Sequence, residues 1–249
     1  MARKKGFTLI ELLVVISIIA LLMAIMMPAL SMVKERAKRV ICGSNTKQVG
    51  IGLFTYAQSY DDKLPPQYGN EPWEAVLAYY PDGSHNPVRT QLAILYEEKI
   101  VGNPEVFYCP SQPRHSDYPI PYYYDFYTDN GTVEWGSEFI PIPGLDGHEL
   151  IRTSYNYWLH GQKKTSALSR NAILVDNCQE WEVVPHRKGS SGDPQGLYAL
   201  FGDGHANFAT RREIFDDDLW PKDFRTVFNG PGNDTEKFEL ILKEIEKDQ

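Results

Sequence analysis

Residues 6–28 read GFTLIELLVVISIIALLMAIMMP, from Gly6 to Pro28. A short basic leader precedes them (Arg3, Lys4, Lys5), and one carboxylate, Glu11, stands inside the apolar run. No charged residue occurs from Leu12 to Pro28. Roughly 20 apolar residues at about 1.5 Å each cross a hydrocarbon core of about 30 Å, so one helix of this stretch is long enough to span a bilayer. An ionised acid in such a segment costs about 2.5–3.5 kcal/mol at mid-membrane and less near an end. An anchor alone has no use for Glu11. A secretory signal peptide would carry a shorter apolar core, about 7–15 residues, and a small-x-small cleavage site. Met26-Met27-Pro28-Ala29 is a poor one. A plain signal anchor leaves the glycine between the basic leader and Phe7 unexplained.

Gly6-Phe7-Thr8-Leu9-Ile10-Glu11 resembles the processing site of type IV prepilins and type II secretion pseudopilins. The leader charge, glycine, phenylalanine, glutamate and Pro28 all fall in register with that family, over about the first 60 residues. The resemblance implies that a prepilin peptidase cuts between Gly6 and Phe7 and methylates Phe7, with Pro28 kinking the helix. The new amine of Phe7 would be cationic at the membrane surface. Glu11, one turn along, is expected to pair poorly within its own helix and so to meet the amine of a neighbouring subunit. An ion pair in a dry setting fixes register, because an unpaired partner is a costly buried charge. Glu11 is thus an assembly residue.

The implied fold is α+β and pilin-like: a long N-terminal helix, half transmembrane and half amphipathic, on an antiparallel β-sheet with irregular loop insertions. The implied division is a leader at 1–6, a transmembrane or filament-core helix at 7–28, an amphipathic extension at 29–60 and a periplasmic globular domain at 61–249. Lys34, Arg36, Lys38 and Arg39 follow the span, so the positive-inside balance is close to a tie. Only the resemblance makes this a single-pass inner-membrane protein with its C-terminal domain in the periplasm. The implied partners are the peptidase, other pilin or pseudopilin subunits, an inner-membrane assembly platform and membrane lipid.

Formal net charge is −8. Loss of Arg3, Lys4 and Lys5 with the leader would leave −11. A surface that acidic argues against nucleic acid as partner; the 34–39 basic cluster suits lipid headgroups instead. The three cysteines, Cys42, Cys109 and Cys178, lie beyond the span and on this topology face an oxidising compartment. One disulfide with a spare thiol, or three free thiols, are both open. Cys42 with Cys109 is the favoured pair, since it would staple the helix to the mouth of a loop. Their spacing fits no zinc motif.

Apolar residues from Leu30 to Tyr60 recur at helical spacing. Gly43, Gly50 and Gly52 are expected to loosen that helix, at about 0.5–1 kcal/mol each, and Leu64-Pro65-Pro66 to end it. Residues 72–101 read as short helices. Residues 103–150, rich in Pro, Tyr and Gly, read as a long exposed excursion. Its aromatic run from Tyr122 to Tyr127 could stack on carbohydrate but is better read as packing the loop onto the sheet. Strands are expected at 154–159, 172–176, 181–184, 197–201 and 206–209, with a tight turn at 202–205. Short helices are expected at 211–219 and 235–247, the second with a stripe of Phe238, Ile241 and Ile245.

Phe201-Gly202-Asp203-Gly204-His205, with His186 upstream, resembles the signature of a group of bacterial prepilin-like proteins named for a histidine, a nine-residue spacer and Asp-Gly. Here 16 residues separate His186 from Asp203. The motif marks relatives without naming a reaction. His186, Asp203 and His205, with Asp176 as a fourth ligand, could in principle take a divalent metal, and Asp193 or Asp216-Asp217-Asp218 calcium. Turn chemistry and a solvated helix end explain the same residues, so no metal and no cofactor is expected. No nucleophile elbow, phosphate loop or catalytic carboxylate pair stands out, so no enzyme is expected. The leading reading is a structural filament subunit serving secretion, adhesion or DNA uptake. The alternative is a membrane-tethered periplasmic binding module or enzyme that does not polymerise.

Overall fold

Leu9–Ser59 form one helix of 51 residues, α1, which runs unbroken through Pro28. The computed structural model describes residues 8–70, 72–82, 84–114, 121–140, 150–179, 181–188, 192–216, 219–220 and 233–248. The chain divides into two compact units, Met1–Ala37 and Lys38–Gln249. In the first unit every described side chain is exposed or half-exposed. Burial along α1 begins at Cys42 and continues through Thr46, Val49, Leu53, Tyr56 and Ala57, a spacing of three and four that puts them on one face. Of the residues read as the apolar face, Leu30, Val33, Ala37, Val40, Ile41 and Tyr60 stay exposed.

The three glycines do not loosen α1. They bring it close to the rest of the second unit. A Cβ on Gly43 would sit 2.8 Å from the Tyr198 ring, one on Gly50 2.8 Å from a Leu200 methyl, and one on Gly52 2.8 Å from a Val101 methyl. Asp61 and Asp62, both at positive φ (59° and 63°), end the helix before the prolines are reached. Asp62 then grips the 165–166 turn, its carboxylate accepting from the hydroxyls of Thr165 and Ser166.

A four-stranded antiparallel sheet lies at the centre, in the order β4 (Tyr155–Tyr157), β5 (Ala172–Asp176), β6 (Leu197–Phe201), β7 (Ala206–Ala209). Leu174 and Leu200 pack with the docked face of α1. Ala172, Val175, Ala199 and Phe201 pack against the C-terminal helix, Asn233–Glu246. With both faces covered, β5 is buried at every position, which is why its sequence is a continuous apolar run closed by one acid. The C-terminal helix buries the expected stripe of Phe238, Ile241 and Ile245, joined by Leu242. The 202–205 turn also forms: the Gly204 N–H donates to the Phe201 carbonyl and the Phe201 N–H to that of His205.

A second antiparallel sheet, of three strands, departs from the expected short helices. Leu77–Pro81 (β1) and Pro87–Arg89 (β2) make a hairpin, and Ile151–Arg152 (β3) pairs with the other edge of β1. Among the described residues of that region, helical structure is confined to a 3-10 turn at Pro72–Val76 and to α2, Ala93–Glu97. The predicted strand at 181–184 is a 3-10 turn, Trp181–Val183, and among the described residues of the predicted helix at 211–219 the helical part is another, Arg212–Phe215. Short segments rich in large apolar residues satisfy either pattern, and packing chooses.

Among its described residues, the 103–150 excursion contributes buried aromatic side chains to the core rather than forming only an exposed loop. A short helix, α3, spans Tyr124–Tyr127. Phe107, Tyr108, Tyr122, Tyr127 and Trp135 are buried, and the Trp135 indole meets Tyr79, Tyr96, Phe107 and Tyr108 with ring centroids 5.1–6.4 Å apart. The Trp135 indole N–H donates to the Tyr108 hydroxyl at 2.8 Å. The aromatic run therefore packs the core, as rings of this size do when their polar tips find partners.

Candidate functional site

Thr8 is the first described residue and caps α1. Its backbone N–H and its hydroxyl both donate to Glu11 Oε2, each at 2.8 Å, while the Glu11 N–H donates to Thr8 Oγ1 at 3.2 Å. This reciprocal pair is a capping box, signalled in sequence by Thr-x-x-Glu. It corrects the expectation that Glu11 pairs poorly within its own helix. Both bonds fall on Oε2, and a carboxylate offers about four acceptor positions, so capacity remains for a cation. A negative charge at this end is also favoured by the helix dipole. Gly6 and Phe7 lie outside the described residues.

Beyond the cap, 18 large apolar side chains from Leu9 to Val33 are 44–78% exposed. The helix is long and apolar enough there to cross a membrane. Ser17 does not interrupt it, because its hydroxyl donates to the Leu13 carbonyl at 2.7 Å. In the basic cluster that follows, Arg39 lies over the Phe208 ring, 5.2 Å from its centroid.

Asp203, Gly204 and His205 form the β6–β7 turn. Gly204 takes a φ of +94° that only glycine adopts easily. Asp203 Oδ1 accepts from the His205 N–H at 3.0 Å and meets His205 Nδ1 at 2.5 Å, while the imidazole stacks on Phe201, 4.2 Å between centroids. Partial burial pushes the Asp203 carboxyl up, but these His205 contacts outweigh it and hold it below the usual range.

His186 has other partners. It follows the 181–183 turn at a φ of +59° and is buried against the Tyr198 and Phe208 rings. Its Nε2 is 3.3 Å from Asp176 Oδ2 and 3.5 Å from Cys109 Sγ. Cys42 completes the group, its thiol donating to Asp176 Oδ1 at 3.2 Å and lying 3.5 Å from the Tyr155 hydroxyl. One donor atom from each of Cys42, Cys109, Asp176 and His186 lies within 4.8 Å of the others, and all four residues are buried.

Each member is set by a different element. Cys42 comes from the docked half of α1, and Asp176 is the last residue of β5. The Tyr198 N–H donates to Asp176 Oδ2 at 2.7 Å, and the Cys109 N–H donates to Ser154 Oγ. Among the described residues this is the one grouping of three or more such side chains that could hold a metal ion. Asp176 is the only proposed companion of His186 that belongs to it. Asp217 and Asp218 lie outside the described residues. Cys42 and Cys109, the pair favoured for a disulfide, are neighbours here, the Cys42 sulfur meeting Asp176 and the Cys109 sulfur meeting His186. Cys178 is a free thiol apart from them, its N–H donating to Asn156 Oδ1 at 2.9 Å. Burial pushes the Cys42 and Cys178 thiols up, so both are protonated at neutral pH.

Residues 1–27 match the family model described as the prokaryotic N-terminal methylation motif. No curated protein matches the chain, and no solved structure does.

Proposed function

We propose that this chain, whose N-terminal segment is of the prepilin type, is a subunit of a pilin-like or pseudopilin filament. A prepilin peptidase would cut between Gly6 and Phe7 and methylate Phe7, and the residues from Leu9 to Val33 would pack first in the inner membrane and then against the same helix of other subunits. The unit from Lys38 onward would face the periplasm, and the filament would act in secretion, adhesion or DNA uptake. The role is structural rather than catalytic.

One observation carries the reading: an exposed apolar helix with 18 large side chains from Leu9 to Val33 and a single acid, Glu11, near its start, in a segment that matches the methylation motif. At about 1.5–3 kcal/mol per fully buried side chain, such a surface does not stay in water. Lipid tails satisfy it as well as another helix does, so lateral assembly in a bilayer needs a polar specifier. Glu11 supplies one, with oxygen capacity beyond its cap. The non-catalytic role is supported by the burial of His186 and Asp176, whose side chains are 0% exposed, out of reach of a substrate.

Intact-mass analysis of the membrane-extracted protein tests the first step. Loss of Met1 to Gly6 with one added methyl is expected. A chain that keeps Met1, or is cut near Ala29, overturns the reading. Recovery of the processed chain only as isolated monomers would favour the non-polymerising tethered module instead.

A further inference from the structure

We propose that Cys42, Cys109, Asp176 and His186 form a structural zinc site that staples the docked half of α1 to the central sheet. The donor set is S, S, N and O, a combination that suits a tetrahedral borderline-soft cation rather than magnesium or calcium. The geometry fits as well. Zinc bonds of about 2.3 Å to sulfur and about 2.0–2.2 Å to nitrogen or oxygen, set tetrahedrally, imply donor–donor edges of about 3.4–3.8 Å. In the structure Cys42 Sγ is 3.2 Å from Asp176 Oδ1, Cys109 Sγ is 3.5 Å from His186 Nε2 and His186 Nε2 is 3.3 Å from the other carboxylate oxygen, Oδ2, while one donor atom of each residue lies within 4.8 Å of the others. Small rotations of the side chains would close them on one ion.

Burial adds a second argument. Four ionisable side chains meet inside an apolar core, where a charge is stable only if it is paired or coordinates a metal. All four positions would be filled by protein, with none left for water or substrate, which is the mark of a structural site. The surrounding contacts orient the ligands: the Tyr198 N–H holds the Asp176 carboxylate, Ser154 holds the backbone of Cys109, and the Tyr155 hydroxyl stands beside Cys42. Binding would displace the two thiol protons and leave both sulfurs as thiolates. The site ties residues far apart in sequence, the role a disulfide plays in other exported domains.

The test uses the full chain in detergent, purified without added metal. Elemental analysis should find one zinc per chain, retained in Cys178→Ser and lost in Cys109→Ser and His186→Gln. Alkylation of the denatured, chelator-treated but unreduced protein should label three cysteines. Removal of zinc should lower the tryptophan-monitored melting temperature by about 10 °C, as expected for a ligand near a thousandfold above its Kd, and added zinc should restore it. Cobalt added to the stripped wild-type protein should give the intense visible bands of a tetrahedral ion and a thiolate charge-transfer band, a readout that stands even where a variant fails to fold. Labelling of one cysteine with a mass two hydrogens low would mean a Cys42–Cys109 disulfide and overturn the proposal. Three labelled cysteines with no retained metal and no cobalt spectrum would also overturn it, as would zinc undiminished in folded Cys109→Ser.

Discussion

Glu11 serves one partner visibly and another by proposal, and two substitutions separate them. Within its own helix the carboxylate accepts from the Thr8 N–H and hydroxyl at 2.8 Å. Glutamine keeps the reach and an oxygen acceptor and is the other residue found at this position of a capping box. Glu11→Gln should therefore leave the cap nearly intact, whereas Glu11→Ala removes it, at about 0.5–2 kcal/mol. The inter-subunit pair behaves otherwise. Either change leaves the neighbour's terminal ammonium without its anion in a dry contact, a loss of about 3–5 kcal/mol. Each subunit addition would then weaken between about a hundredfold and several thousandfold, since about 1.4 kcal/mol is a factor of ten. The assay compares shear-released filament with the membrane-retained fraction at matched protein levels, with intact mass confirming that each variant has been processed. Assembly should fail in both variants. If Glu11→Gln assembles like the wild type while Glu11→Ala does not, the acid is a helix cap alone and the pairing argument falls.

Gly50→Ala gains about 0.5–1 kcal/mol of helix propensity but places a Cβ 2.8 Å from Leu200, about 0.6 Å inside ordinary contact, at an overpacking cost of about 1–3 kcal/mol. A net loss of about 1 kcal/mol, roughly 2–4 °C in melting temperature, is expected; a rise would show that α1 is not seated as described. Ile241→Ala, which empties a fully buried position between the C-terminal helix and the sheet, should cost about 2–5 kcal/mol by denaturant titration. Bonds from Thr165 and Ser166 hold the Asp62 carboxyl below its ordinary 3.8. A depressed folded value means stabilisation that is full above the unfolded pKa and lost as pH falls through the folded one. The stability gap between wild type and Asp62→Asn should therefore be constant near neutrality and shrink below about pH 4. A gap independent of pH down to about 2 would rule the contact out as a charged one.

Much of the architecture was legible because it follows periodicity. The β5, β6 and β7 strands were readable at their observed limits, since continuous apolar or alternating runs bounded by turn residues leave little choice. The second sheet was not, because β2 and β3 are three and two residues long, too short to show a period. The glycines of α1 were weighed by propensity alone, and only the position of Leu200, Val101 and Tyr198 across the interface reveals them as contact points. The Thr-x-x-Glu spacing of the cap stands in the sequence, where the pairing expected of the acid with a neighbouring subunit drew attention away from it. The His186 cluster could not be read by spacing, because its four members come from separate segments. His205, beside Asp203 in the sequence, was the more obvious companion and the wrong one.

The absence of any buried side chain in α1 before Cys42, among the described residues, has a practical consequence for recombinant work. A fragment that starts at Lys38 discards all 18 of the exposed apolar side chains between Leu9 and Val33 and none of the interior. Such a fragment should be water-soluble and suited to crystallisation without detergent. Starting after Cys42 would be a false economy, since it would take away an interior thiol along with the greasy tail.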